Sequence, residues 1–394
     1  MICLTQNFKL NRLLLLAIGL WPLQRSKFAQ IQFIILFSIL ITFIAFQFTT
    51  FITSKCTIDL IINVLSSAFF FICLAIKYNS FWVNADIVKF SLERLQLTCN
   101  ELKNKNEIAI IEKYNRIGKY ETIAILLFGI SSMFTFFTMS IWPCILDIII
   151  SMNNSWQRST YQIIATEYFV DYDNYFYLIL LHTNIALCIG TIAIVSTGTM
   201  LIMYLKHVCG MFSIASFRIQ KAMMTNMLQN VNQQKKIQIC KGIICAIDIH
   251  RKAIEFSQFL IKNFAGSFFC LIAAGMVCLS SSLVQLFKTS SDNINIVQLI
   301  QSFMFIIILY IYMFLSNYTA QEITDHNEYV FTTVYNAQWY MAPLHIQKMM
   351  LFLLQKGTKA FYLILGGIFV ASMESAATLM GTSISYFTVL YSTS

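Results

Sequence analysis

The chain alternates long apolar runs with shorter polar segments. Seven runs carry almost no Asp, Glu, Lys or Arg, and most reach the roughly 20 apolar residues that a membrane-spanning helix needs. They are Ile31–Ile52, Leu60–Ile76, Thr122–Leu146, Tyr175–Leu205, Asn263–Phe287, Asn293–Ser316 and Ala360–Leu390. A charge interrupts only the last run, at Glu374, and we expect Asp59 and Lys77 to mark the two ends of the short second run. The pattern predicts an all-α polytopic membrane protein with seven transmembrane helices.

Composition supports the same class of protein. The chain is 58% hydrophobic and only 11% charged, whereas ordinary soluble domains are about 45–50% apolar and about 25% charged. Lipid is therefore the solvent for most of the chain, which excludes a soluble enzyme. No cysteine or histidine spacing matches a zinc site, so we predict neither a metal nor a cofactor and no catalytic residues.

Basic residues set the direction of the spans, because cytoplasmic loops retain Lys and Arg. With seven crossings, 24 of the 27 basic residues lie on one side and three on the other. This predicts a cytoplasmic N-terminus and an extracellular C-terminus. A G-protein-coupled receptor has the opposite orientation, so the sequence excludes that class and requires no G protein. No basic, aromatic-interleaved soluble segment indicates a nucleic-acid partner.

Three motifs give the chain a family resemblance. They are Ile18-Gly19-Leu20-Trp21-Pro22, then Gln338-Trp339-Tyr340 followed by a predicted helix over Pro343–Lys356, and the terminal Ser383-Ile384-Ser385-Tyr386-Phe387-Thr388-Val389-Leu390. Together they resemble the insect odorant receptors, in particular the odour-tuned subunits that pair with a shared co-receptor subunit.

The resemblance implies a function and a setting. It implies a ligand-gated, non-selective cation channel of four subunits, a small volatile odorant as ligand, and a multi-pass protein in the plasma membrane of a sensory dendrite. Gustatory receptors share the fold, but their last helix typically carries Thr-Tyr, five residues and Gln-Phe; this chain has Ser385-Tyr386 without Gln-Phe. A secondary transporter is a further alternative, although the paired repeats and interrupted helices typical of transporters are missing from the sequence.

Polar residues form a stripe along the last predicted span. Ser375, Thr378, Thr382 and Ser385 follow at steps of three, four and three residues, and Val389 continues the same face. Small hydroxyl side chains suit a water-filled pore, and an apolar ring can close one by dewetting. Such residues also suit a helix–helix seam, which from the residues alone is the more frequent case. The resemblance favours the pore, with Val389 as the gate.

An amphipathic helix precedes the last span. Its apolar stripe follows the spacing of one helical face and comprises Ile346, Met349, Met350, Leu353 and Leu354. On a cytoplasmic helix this stripe must pack against its own chain or a neighbouring subunit, and the resemblance implies subunit contacts here. We therefore divide the chain into residues 1–340, with six transmembrane helices and the ligand pocket, and residues 341–394, with the anchor helix and the pore-lining helix.

Odorants need a closed, mostly apolar cavity with few polar groups. Candidates lie in the predicted outer half of the second, third, fourth and sixth spans, and for each the alternative is ordinary core packing or lipid contact. They are Phe70, Phe71, Thr135, Thr138, Trp142, His182, Ile185, Ala186, Ile300, Phe303 and Met304. The outer loop also carries a glycosylation sequon at Asn153.

Overall fold

The fold is almost entirely helical in the computed structural model, which describes residues 8–24, 26–150, 164–226, 233–291, 296–358, 361–367 and 369–393. In chain order the elements are α1 (Lys9–Ala17), α2 (Lys27–Phe48), α3 (Thr50–Thr53), α4 (Ile58–Val83), α5 (Ala85–Glu101), α6 (Lys105–Ile150), α7 (Tyr172–Asn226), α8 (Gln233–Ser291), α9 (Ile296–Asn336), a 3-10 turn (Trp339–Met341), α10 (Leu344–Gly357), β1 (Ile364–Leu365), β2 (Phe369–Val370) and α11 (Met373–Thr393).

Six stretches of helix in the described chain are long and apolar enough to cross a membrane. They overlap each of the first six predicted spans, with α3 continuing α2, so the helical membrane fold is confirmed. Several helices run far beyond the predicted span: α6, for example, begins at Lys105, well before Thr122. A helix pairs its own backbone groups in lipid and in water alike, so the charged segments simply continue it.

The predicted last span over Ala360–Leu390 is wrong in its first part. Here β1 pairs with β2 in antiparallel fashion, and the turn contains Gly366 and Gly367 with φ angles of +61° and +76°. Glycine adopts this left-handed region readily, whereas other residues rarely do. Helix α11 therefore begins only at Met373, and Glu374 lies in its first turn, where the helix dipole favours a carboxylate.

The expected end of the second span is also wrong. Lys77 lies well inside α4 and only 1% of its surface is exposed. The other expected end is confirmed, since Asp59 lies in the first turn of α4. Its carboxylate pairs with the Lys288 ammonium at 2.8 Å.

The N-terminal motif forms a buried turn between α1 and α2. Gly19 has a φ of +71°, and a Cβ at this position would lie 2.9 Å from the Ala29 carbonyl oxygen. The adjacent Ile18 and Leu20 are buried, and the Tyr78 hydroxyl donates to the Ile18 carbonyl at 2.7 Å. This turn fixes α1 to the side of the bundle.

Helices α7 and α8 form the centre of the bundle. Helix α7 packs against α6, α8 and α9, and α8 packs against α4, α9 and α11. Close approach depends on small residues, because a Cβ at Gly190 would clash with the side chain of Leu74. Strand β1 and helix α11 both pack against α8, and α11 also packs against α9.

Candidate functional site

Helix α11 has two faces of different character. Ala376, Leu379 and Ser383 are buried and pack toward α8 and α9. The predicted pore stripe lies away from this seam: Thr378 and Ser385 are exposed, and Ser375 and Thr382 are half-buried. Val389, the predicted gate, is 60% exposed. The residues that pack α11 against its own chain are therefore different from those of the hydroxyl stripe.

Helix α10 packs its apolar stripe within its own chain. Ile346, Met350 and Leu353 are buried, while Met349 and Leu354 are partly buried against the same core. Pro343 is the N-cap of this helix, so α10 begins one residue later than predicted. The opposite face exposes Leu344, Leu351 and Phe352 at 67%, 48% and 60%.

An aromatic cluster joins four helices in the predicted outer half. Phe70 of α4 stacks on Phe305 of α9 with ring centroids 4.2 Å apart, and Phe136 of α6 lies 5.6 Å from the same ring. Phe71 meets Phe43 of α2 edge-on at 4.6 Å. The predicted Phe70 and Phe71 thus lie in one cluster, together with three phenylalanines that the sequence did not single out.

The other predicted ligand residues fall into several environments. Ala186 is buried; Thr135, Ile300 and Met304 are half-buried; Thr138, Ile185 and Phe303 are exposed on the bundle surface. On α9 the residue that enters the aromatic cluster is Phe305, not Phe303. The side chain of Trp142 and the whole of Asn153 lie outside the described part of the chain.

His182 links three elements. Its Nδ1 lies 2.7 Å from the Tyr168 hydroxyl, and its Nε2 lies 3.3 Å from the Ile39 carbonyl oxygen. Burial raises the pKa of Tyr168, so its hydroxyl keeps a proton and donates to Nδ1, while Nε2–H donates to the carbonyl. Phe46 stacks on Tyr168 at 4.2 Å. The histidine is thus a satisfied interhelical group.

Two glutamines carry a signal that the sequence analysis missed. Gln47 of α2 and Gln301 of α9 are fully buried. Among the described residues, neither amide has a hydrogen-bond partner, and the hydroxyls of Ser302 and Thr50 also have none. A buried polar group without a partner is costly, so these groups are available to bind a ligand. An amide inside a charge-free apolar run is the signal that would have found them.

A second polar cluster lies toward the predicted cytoplasmic side. The Lys206 ammonium of α7 lies 2.6 Å from the Glu121 carboxylate of α6 and 2.6 Å from the Glu322 carboxylate of α9. The Tyr114 hydroxyl lies 2.6 Å from His326 Nε2. These contacts tie α6, α7 and α9 together.

Part of this cluster has metal-like spacing. The donor atoms of Cys209, Glu322 and His326 lie within 4.8 Å of one another. However, Glu322 already binds Lys206, and His326 uses Nε2 for Tyr114 and Nδ1 for the Glu322 carbonyl. Because Glu322 and His326 already have protein partners, we interpret the cluster as a structural hydrogen-bond network and not as a metal site.

A cavity of about 200 Å³ lies between α4, α7, α8, α9 and α11. Its wall is largely apolar, and among the described residues that line it only Lys77 is charged. None of the predicted ligand residues whose side chains the structure describes lines this cavity.

Comparison with known proteins assigns the family. The family model described as 7tm Odorant receptor matches residues 57–384. The chain belongs to the odorant receptor family. No curated protein matches the sequence of this receptor.

Two solved structures of the insect olfactory receptor OR5 from Machilis hrabei share the receptor's fold. The complex of OR5 with eugenol aligns with a TM-score of 0.82 at 12% identity, and the second OR5 structure aligns with 0.76 at 13%. Each alignment covers 99% of both chains. The receptor therefore has the seven-transmembrane helical fold of these proteins, with α11 following the six long apolar stretches.

Proposed function

We propose that this chain is an odour-tuned subunit of a ligand-gated, non-selective cation channel. It assembles with a shared co-receptor subunit into a tetramer in the plasma membrane of a sensory dendrite, with its N-terminus in the cytoplasm, and it needs no G protein. The observation that carries the proposal, beside family membership, is the hydroxyl stripe on α11, in which Thr378 and Ser385 are exposed and Ser375 and Thr382 are half-buried. That face is available to line a pore with the same helices of neighbouring subunits.

Helix α10 and the turn before it support assembly. Their exposed apolar surface is formed by Tyr340, Met341, Leu344, Leu351 and Phe352. On the predicted cytoplasmic side this surface faces water in an isolated subunit, and exposed apolar patches of this kind mark protein–protein contacts. Neighbouring subunits would cover it in the tetramer.

The aromatic cluster and the unpaired amides support the ligand site. OR5 forms a complex with eugenol, and family members bind odorants. In this chain the rings around Phe305 offer apolar surface, and Gln301 and Ser302 on the same helix offer hydrogen bonds that no described residue takes up. A small volatile molecule with one polar group would use both.

Co-expression tests the channel directly. The chain is expressed with and without an odorant co-receptor subunit, and cation current is recorded while volatiles are applied. We expect evoked current only in the presence of the co-receptor. Evoked current from this chain alone would contradict the pairing and favour a taste-receptor type of channel.

The gate is tested by Val389→Ala in the co-expressed channel. We expect higher basal current, because a smaller side chain widens and wets an apolar constriction. Ile384→Ala is the matched control, since Ile384 is also exposed, at 49%, but lies five residues before Val389 in the sequence and therefore about 140° away around the helix. Equal basal leak in both variants and the wild type would remove the gate assignment.

A further inference from the structure

The cavity between α4 and α8 contains a buried charge. Lys77 lines it and is 1% exposed. Its ammonium lies 5.1 Å from the ring centroid of Phe268 and 5.4 Å from that of Tyr312. Within the described residues no carboxylate lies within ion-pair distance of it. Ring faces attract a cation, but they do not neutralise it.

A buried ammonium without a counter-ion is an unstable arrangement in an apolar surrounding. Ionised groups of this kind are normally paired or bind an ion. Here the side chain lines open space rather than packed protein. An anion that enters this space would complete the ion pair that the protein leaves open.

The other lining residues favour an anion that carries an apolar tail. The neighbouring lining residues include Leu271, Ile272, Ile311 and Leu379. An apolar cavity of about 150 Å³ holds a benzene molecule, so the present volume of about 200 Å³ accepts a somewhat larger tail. Ile272 and Ile311 are only half-buried, which gives an alkyl chain a path from the bilayer.

We infer that this cavity binds an oxyanion-headed amphipath, a carboxylate or phosphate joined to an alkyl chain, with the anion on Lys77 Nζ and the chain in the apolar space. The site is separate from the outer aromatic cluster, since Lys77 lies about 10 Å along α4 from Phe70. Because Leu379 and Ser383 of α11 also line it, an occupant touches the helix proposed to line the pore.

Binding to the full-length chain in neutral maltoside micelles tests this inference. The probes are octanoate for a free fatty acid, octyl phosphate for a lipid headgroup, and octan-1-ol as the uncharged match. Thermal unfolding at increasing probe concentration gives apparent affinities, since a ligand of the native state raises the midpoint. We expect the wild type to bind one or both anions more tightly than octan-1-ol. A preference for octanoate only would identify the natural ligand as a free fatty acid. A preference for octyl phosphate would identify it as a lipid with a phosphate headgroup.

Variants at Lys77 test the ion pair. Lys77→Met should weaken binding of the preferred anion about tenfold or more, because the charge-assisted contact is lost, and should leave octan-1-ol unchanged. Lys77→Arg should retain the preference for the anion. Equal binding of all three probes by the wild type, or an unchanged anion preference in Lys77→Met, overturns the site.

Two glycines of α8 keep the test decisive if Lys77→Met does not fold. A Cβ at Gly275 or at Gly266 would meet nothing within 4 Å, so both positions have room for the first atom of a side chain, and Gly275→Leu and Gly266→Leu form a matched pair. Only Gly275 lines the cavity, so only Gly275→Leu should abolish binding. Equal anion binding by the two variants overturns the inference. The readout needs no current, so failure here and failure of the proposed channel function are distinguishable.

Discussion

Two lysines on the predicted cytoplasmic side of the bundle, Lys206 and Lys77, are each 1% exposed, yet their surroundings differ completely. Lys206 meets two carboxylates, each at 2.6 Å, from the helices on either side of it. Lys77 meets two ring faces and a cavity. The difference teaches that burial alone does not assign a role to a charge. A charge with partners on several helices holds the bundle together, whereas a charge without partners marks a place for something else to bind.

The largest effect is expected at the partnered lysine. Lys206→Met should lower the free energy of unfolding by about 3 kcal/mol, because it leaves the Glu121 and Glu322 carboxylates, whose side chains are 30% and 17% exposed, without their counter-ion. The midpoint of unfolding in increasing denaturing detergent measures it.

The matched control for this variant is Lys89→Met. Lys89 forms an exposed pair with Glu93 at 4.0 Å, so its loss should change the free energy of unfolding by less than about 1 kcal/mol. If both variants unfold at the same detergent concentration as the wild type, the inner cluster is not structural and the contrast between the lysines loses its basis.

The sequence predicted the helices better than their ends. Charge-free runs located the first six spans because only a hydrogen-bonded helix tolerates lipid. The same logic misplaced Lys77, since a charge is normally a span end, whereas this one is buried beside rings and a cavity. It also carried the last span through Gly366 and Gly367, where positive φ angles turn the chain back before α11.

The candidate sites divide in a similar way. The step of three and four residues placed Thr378 and Ser385 on one face of α11, and the structure leaves both exposed. Periodicity cannot say which of many phenylalanines meet, so it does not distinguish Phe305, which stacks on Phe70, from Phe303, which is exposed. Whether a buried amide such as Gln301 has a partner depends on side chains from other helices, and one sequence does not contain that pairing.

An effect of intermediate size is expected at one of two buried glutamines. Gln285 accepts from the Ser66 hydroxyl at 2.8 Å and donates to Asn63 at 3.2 Å, whereas Gln301 has no partner among the described residues. Gln285→Leu should therefore lower the free energy of unfolding by about 1–3 kcal/mol, since it removes both hydrogen bonds. Gln301→Leu should leave the free energy of unfolding unchanged and should instead alter the odorant dose response of the co-expressed channel. If Gln301→Leu unfolded more easily than Gln285→Leu in detergent, Gln301 would have a structural partner and would no longer be a candidate ligand contact.

The smallest effect is expected at Lys77 itself, and it is the most direct test of the contrast. Lys77→Met loses attraction to two rings, which is worth about 0.5–2 kcal/mol, but it also relieves the cost of a buried, unpaired charge. These changes oppose each other, so the free energy of unfolding without added ligand should stay within about 1 kcal/mol of the wild type. A loss as large as that of Lys206→Met would mean that Lys77 has a structural counter-charge after all. A near-zero change, beside a large one at Lys206, would establish that two equally buried lysines serve different purposes because only one has its partners within the chain.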